Sequence, residues 1–193
     1  MKRLLFISWI LAAIALEGQV IDRIVAVVNN RIITSSDVRR EQLIREVLRT
    51  NQSRDADVVV KELIDNQIIE EQVAQFPGID VSDERVQAEI DKISDLKGLP
   101  RETLRDAVRQ RIRNTEFFDQ RFRLFTRVSD EEVRQYYDRV FVPEAQKRGV
   151  NPVPSFEQVA DGLRNNVIEE KLVRDIDAWL EALRRRSNIE VFE

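Results

Sequence analysis

The alternation of apolar and polar residues predicts that the chain opens its folded part with a β-hairpin. Residues 24–28 (IVAVV) and 32–34 (IIT) are β-branched runs of the kind typical of strands. Between them lie Asn29 and Asn30, and asparagine tolerates the positive φ that a tight hairpin turn requires. After this hairpin the apolar period changes from 2 to 3.6, which indicates a transition from strands to helices.

Capped amphipathic helices are predicted over most of the remaining chain. Ser, Thr and Asp ahead of apolar positions spaced three and four residues apart mark where helices begin, and Gly and Pro mark where they end. The predicted helices are one capped by Ser35 or Ser36 and ending near Arg49, one over about 57–75, one capped by Ser82 and ending at Gly98, one opened by Pro100 and continuous to about Phe125, and one opened by the Ser129–Glu132 capping box.

The last third of the chain is predicted to contain a loop, a long helix and a strand. Residues 141–154 include three prolines and one glycine, which favours a loop. Ser155 and Gln158 form a capping box that opens a helix of about 30 residues, and residues 189–192 alternate like a strand. A lone strand needs a partner, so we expect it to pair with the hairpin. The predicted fold class is mainly α, with a small antiparallel sheet joining the two ends.

The first residues have the pattern of a secretory signal peptide. A basic start, Met1 to Arg3, precedes the apolar run Leu4 to Leu16. As a helix this run of about 13 residues spans roughly 20 Å, too short for a hydrocarbon core of about 30 Å. We predict a signal peptide over residues 1–18, cleaved after Ala15 or near Gly18, and hence a periplasmic protein. A buried N-terminal helix and an uncleaved anchor are the alternatives.

The composition excludes most kinds of active site. The chain has no Cys and no His, so thiolate nucleophiles, Ser-His pairs and nearly all zinc sites are excluded. Its 5 glycines are too widely spaced for a phosphate-binding loop. We therefore predict no catalytic residue, no cofactor and no metal. The arginines of residues 101–127 alternate with acids in a chain of net charge −4, which indicates a solvated or internally paired helix face and no nucleic-acid partner.

In sequence and in order, these elements resemble the SurA-like family of exported chaperones, which are related to the parvulin-type foldases. The resemblance implies an ATP-independent holdase that binds unfolded or extended polypeptides, outer-membrane proteins among them. The matching segments are 21–38 (the hairpin and the first helix), 60–73, 81–93, 125–138 (which precedes the isomerase domain in family members) and 156–191 (the C-terminal helix and strand).

One departure from the family pattern bears directly on function. Family members usually carry parvulin domains of about 90–100 residues before the C-terminal helix, whereas only residues 138–154 lie there in this chain. The histidines typical of parvulin active sites are also missing. The chain is thus expected to be a single chaperone core over 19–193, with an N-terminal part (20–140), a loop (141–154) and a C-terminal helix and strand (155–193), and not an enzyme.

Apolar residues in excess of one helical stripe are the candidates for client binding. A core-facing stripe uses about three positions in seven, and neighbouring residues on a helix point about 100° apart. For every candidate, the alternative is that the residue belongs to the core. The residues assigned to the core outright are Leu63, Ile64, Leu172 and Leu180. The candidate client contacts are Val58, Val59, Ile69, Phe117, Tyr137 and Phe141.

Two further functions stay open at this level. An assembly subunit would fill the same apolar groove with one dedicated partner or with a second copy of the chain, for example a homodimer that exchanges the long C-terminal helix around the proline-containing loop. A remnant of a prolyl isomerase is the enzymatic alternative, and the missing domain argues against it. No membrane span is predicted after the signal peptide.

Overall fold

A three-stranded antiparallel sheet joins the two ends of the part of the chain that the structure describes. This computed structural model describes residues 22–192, so the predicted signal peptide lies outside the described residues. Strands β1 (Ile24–Val28) and β2 (Arg31–Thr34) form the predicted hairpin, and Asn29 has the expected positive φ of 53°. Strand β3 (Ile189–Val191) pairs with β1, which gives the order β2-β1-β3. Both predicted pairings are confirmed.

Helices make up most of the described residues, and the predicted fold class is confirmed. Within residues 22–192 no helix is both long enough and apolar enough to cross a membrane. The helices are α1 (Ser35–Val47), α2 (Ala56–Gln75), α3 (Asp83–Ile90), α4 (Arg101–Arg121), α5 (Asp130–Tyr136), α6 (Val142–Lys147) and α7 (Phe156–Arg184).

The helix caps follow the sequence closely, with one exception. Ser82, Ser129 and Ser155 occupy the N-cap positions of α3, α5 and α7 as predicted. The prediction of Ser35 or Ser36 for α1 is wrong, because Thr34 still has extended backbone angles and Ser35 is already helical. The Thr34 hydroxyl accepts from the Asp37 N–H at 3.3 Å, and the Asp37 carboxylate accepts from the Thr34 N–H at 2.9 Å.

Several predicted helix ends are wrong. Helix α3 stops at Ile90 instead of Gly98, because Leu96 and Leu99 turn inward and pack against the core that α3 forms with α4. Helix α4 is continuous through its middle as predicted, but it ends at Arg121 and a 3₁₀ turn follows. In that turn Leu124 and Phe125 are 63% and 74% exposed, so the predicted helical stripe does not extend to Phe125.

The predicted loop over 141–154 is only half correct. Helix α5 continues through a π-helical turn (Tyr137–Phe141) into α6, and the connection to α7 is limited to residues 148–155. Pro143 lies in the first turn of α6, immediately after the wider π-helical turn. Proline has no N–H to donate, and the first helical turn is where that loss is tolerated. The number of prolines alone therefore predicts a loop that is too long.

Two hydrophobic cores hold the described residues together. One lies between the sheet, α2, the C-terminal end of α4 and the end of α7; the other lies between the end of α1, α3 and the first half of α4. Arg184 of α7 also donates two hydrogen bonds to Asp65 of α2, at 2.6 and 2.5 Å. The terminal helix and strand therefore belong to the same lobe as the hairpin.

Candidate functional site

A cleft of about 560 Å³ lies where α1, α3 and α4 meet. Volumes of this size are typical of binding sites in proteins. The end of α1, the segment after α3 and the middle of α4 form its walls. The lining residues are Val47, Leu48, Arg49, Arg85, Glu89, Lys92, Ile93, Ser94, Asp95, Val108, Arg111, Ile112, Thr115, Glu116 and Asp119.

Apolar side chains from all three walls form the floor of the cleft. Val47 and Val108 are buried members of the second core, whereas Leu48, Ile93 and Ile112 are only half-buried. These half-buried side chains are the outer layer of that core, and they leave apolar surface facing the cleft. The floor can therefore bury apolar groups of a ligand without any rearrangement of the protein.

Charged groups surround this floor, and most of them are paired within the protein. Glu116 pairs with Arg85, Glu89 pairs with Lys92 at 2.7 Å, and Asp119 accepts from Arg123 at 2.7 Å. Arg111 is bound to Glu41 of α1 at 3.3 Å, and burial lowers the pKa of its guanidinium. The lining thus offers apolar area and charged hydrogen-bonding groups, which are the interactions of a groove that binds polypeptide.

The N-terminal part of the chain matches a known family. The family model for the SurA N-terminal domain matches residues 21–123, a segment that contains every residue lining the cleft. The chain belongs to this family. No curated protein matches the chain.

A comparison with solved structures extends the SurA-like likeness to the C-terminal part. One match comes from a study of the virulence factor PEB4 and the periplasmic protein Cj1289, two SurA-like chaperones of Campylobacter jejuni. It has a TM-score of 0.59 and 16% identity, and it covers 89% of this chain and 99% of that chain. At this identity the match shows the fold. Since residues 148–155 alone connect α6 to α7, this SurA-like chaperone has no parvulin domain at that place.

Half of the residues predicted to contact clients are buried in the first core of this SurA-like fold. Val59, Ile69 and Phe117 are 0%, 7% and 1% exposed, so they present no surface to a client. The excess of apolar residues on α2 and α4 has a packing origin, because α2 contacts the sheet, α1, α4 and α7 and is buried on several sides. For these three positions the alternative of a core residue is correct.

The other predicted contacts lie outside the cleft. Val58, Tyr137 and Phe141 are half-buried. The Tyr137 ring stacks on that of Phe141 with centroids 5.6 Å apart, and its hydroxyl donates to the Pro154 carbonyl at 2.8 Å. These contacts fasten the π-helical turn to the start of α7. As client contacts, Val58, Tyr137 and Phe141 remain predictions.

Sequence reasoning did not identify the residues that line the cleft. Leu48 and Ile112 occupy positions on predicted core-facing stripes, so the pattern treats them as interior. They are only half-buried because they face the cleft between α1, α3 and α4. The sequence does offer one signal, because a charged residue is adjacent to each position: Arg49 follows Leu48 and Arg111 precedes Ile112.

A second, more polar cleft of about 490 Å³ lies between β2, α1, α2 and α4. Glu70 of α2 lines it and accepts hydrogen bonds from Gln110 and from Arg31, the latter at 3.2 Å. Burial raises the pKa of the Glu70 carboxyl, and the charges of Arg31 and Arg113 and the hydrogen bond from Gln110 only partly oppose this effect. The ionised form of Glu70 is therefore disfavoured by folding.

Replacing Glu70 with glutamine is expected to raise the melting temperature at pH 7 by about 1–3 °C. Burial raises the folded-state pKa of Glu70 above its ordinary value of 4.5, so wild-type stability falls as the pH rises from 4.5 through the raised pKa. Glutamine is uncharged and keeps the acceptor for Gln110. Thermal unfolding from pH 3 to pH 8 measures the difference, which should vanish at the acid end. A matched change at exposed Glu190 should have little effect; equal shifts in both variants would contradict this explanation.

Proposed function

We propose that this SurA-like chain is an ATP-independent holdase that binds unfolded polypeptides in the periplasm, with outer-membrane protein precursors as its clients. The observation that carries the proposal is the cleft between α1, α3 and α4, which has an apolar floor and a charged rim. Membership of a chaperone family supports it. The periplasmic location rests on the signal-peptide pattern of residues 1–18.

The expected strength of binding suits a carrier that releases its client without fuel. Burial of a few hundred Å² of apolar surface yields several kcal/mol at about 25 cal/mol per Å². Ordering an extended chain cancels part of this gain, so the expected affinity is about micromolar. An affinity in this range keeps apolar strands from pairing with one another and still permits rapid release.

A second exposed apolar surface supports the same function. The 3₁₀ turn after α4 presents Leu124 and Phe125, two large adjacent side chains that are mostly exposed. Arg123 in the same turn is held by Glu169 of α7, so the turn has a defined position against that helix. An extended client long enough to leave the cleft can make further contacts here.

Replacing Ile112 with asparagine is expected to weaken protection of unfolded clients. The change puts an amide on the apolar floor, and we expect the chaperone concentration for half-maximal protection to rise about tenfold. The assay follows light scattering by several unrelated unfolded β-barrel precursors diluted from urea. Thermal unfolding of the variant checks that it is still folded.

The matched control is Val173 to asparagine. Val173 is 56% exposed on α7, a helix that contributes no residue to the cleft, so this variant should protect clients like the wild type. Failure of the wild-type protein to protect any of the unrelated precursors would contradict the holdase proposal. Protection of only one of them would favour an assembly subunit with one dedicated partner instead.

A further inference from the structure

We propose that the cleft recognises the free C-terminal carboxylate of an unfolded client whose last side chains are apolar. This inference rests on the proposed function and specifies which part of a client binds. The floor would take the last apolar side chains, and two guanidinium groups of the lining would take the carboxylate. Those groups belong to Arg111 and Arg49.

Arg111 is held in place but keeps hydrogen-bonding capacity for a ligand. Its side chain is 34% exposed, and one of its terminal nitrogens contacts Glu41 at 3.3 Å. Glu41 also binds the buried Arg45 at 2.9 Å, so one carboxylate is shared between two guanidiniums. Within residues 22–192, Nε and Nη1 of Arg111 make no hydrogen bond. A guanidinium that is fixed on one side and free on the other suits a carboxylate ligand.

Arg49 places a second guanidinium at the same cleft. It follows the C-cap of α1 with a φ of 50°, a left-handed conformation that usually belongs to glycine at this position. Its side chain makes no ion pair with any residue in the described range. A long cationic side chain therefore lines the cleft without a carboxylate partner among residues 22–192.

Three of the four acids that line the cleft are paired with cations of the protein. Glu89, Glu116 and Asp119 each pair with a cation, as described above. Asp95 accepts the backbone N–H of Lys97 at 2.8 Å. Among the cations of the lining, Arg85 and Lys92 pair with acids of the cleft itself, whereas Arg111 and Arg49 do not, and apolar surface lies beside them. A chain terminus combines the two matching features in one residue, because its carboxylate and its side chain share a Cα.

Fluorescence anisotropy with matched peptides tests the inference. The probe is a labelled hexapeptide ending in two leucines, prepared as the free acid and as the C-terminal amide. We expect the free acid to bind about tenfold more tightly, as for hydrogen bonds to a charged group. Arg111→Gln should bring the two affinities together, and Arg111→Lys should restore part of the difference. Arg174→Gln, a charge change on α7, should preserve it.

Three other outcomes are informative. Equal binding of acid and amide by the wild type would overturn carboxylate recognition and leave the holdase proposal standing. Tight binding of an amidated peptide that ends in aspartate would also overturn it, because any carboxylate would then suffice. If neither peptide binds and unfolded precursors are not protected, the proposed function fails and this inference fails with it.

Discussion

Replacing Arg45 with methionine is expected to lower the free energy of unfolding by about 3 kcal/mol, the lower end of the range for a broken buried ion pair. Arg45 lies on α1 and is only 1% exposed. Its guanidinium contacts Glu41 at 2.9 Å, Glu62 of α2 at 2.7 Å and the Ser53 carbonyl at 2.5 Å. Methionine fills similar space but leaves Glu62 and the Ser53 carbonyl without the Arg45 donor. The loss is limited because Arg111 still neutralises Glu41.

Urea denaturation at pH 7 measures this change. The matched control is Arg40 to methionine on the same helix: Arg40 pairs with Asp37 at the surface, and the expected cost is below about 1 kcal/mol. A double variant in which Glu62 also becomes leucine should recover part of the lost stability, since it removes the carboxylate left without its partner. Equal effects of the Arg40 and Arg45 changes would show that burial of Arg45 contributes nothing.

Elements specified by local chemistry could be predicted from the sequence. The hairpin depends on Asn29, whose side chain type tolerates a positive φ between two β-branched runs. The start of α3 depends on the Ser82 hydroxyl, which accepts from the Arg85 N–H at 3.4 Å. The pairing of β3 with the hairpin could also be predicted, because an isolated strand has unsatisfied backbone groups. Each of these inferences required only a few neighbouring residues.

Features that depend on distant residues could not be predicted in this way. Helix α4 ends where Phe122 packs against Trp179, with ring centroids 5.4 Å apart, and where Arg123 reaches Glu169. Both partners belong to α7, far away in the sequence. The buried position of Arg45 similarly depends on Glu62 from the next helix. No local pattern distinguishes Arg45 from the exposed arginines around it.

The candidate site is difficult to predict for the same reason. An apolar residue on a helix is interior or exposed according to how many other elements cover that helix. Helix α2 is covered on several sides, so the adjacent residues Ile68 and Ile69 are both buried although they point about 100° apart. At Ile112 of α4 the covering is incomplete, and a residue with a typical core spacing lines a cleft. Coverage is a property of the tertiary fold.

Replacing Phe117 with alanine is expected to lower the free energy of unfolding by about 4 kcal/mol. The ring is 1% exposed and lies between Phe76, the C-cap of α2, and Trp179 of α7, with centroid distances of 5.3 and 5.7 Å. Its removal would leave a cavity where α2, α4 and α7 meet. Phe117→Leu, which fills more of that space, should cost clearly less and keeps the effect measurable if the alanine variant does not fold.

Trp179 fluorescence reports directly on this packing, because it is the only tryptophan among the described residues. Urea titrations of the Phe117 variants should show an earlier transition, whereas Phe125→Ala, at a side chain that is 74% exposed, should change stability by less than about 0.5 kcal/mol. This contrast separates a core residue, Phe117, from an exposed residue, Phe125, which the apolar spacing of the sequence alone does not distinguish. If Phe117 were a client contact, its leucine variant would retain stability and lose client affinity. If Phe117 instead packs between α2 and α7, its leucine variant should be less stable and, while folded, should keep its client affinity.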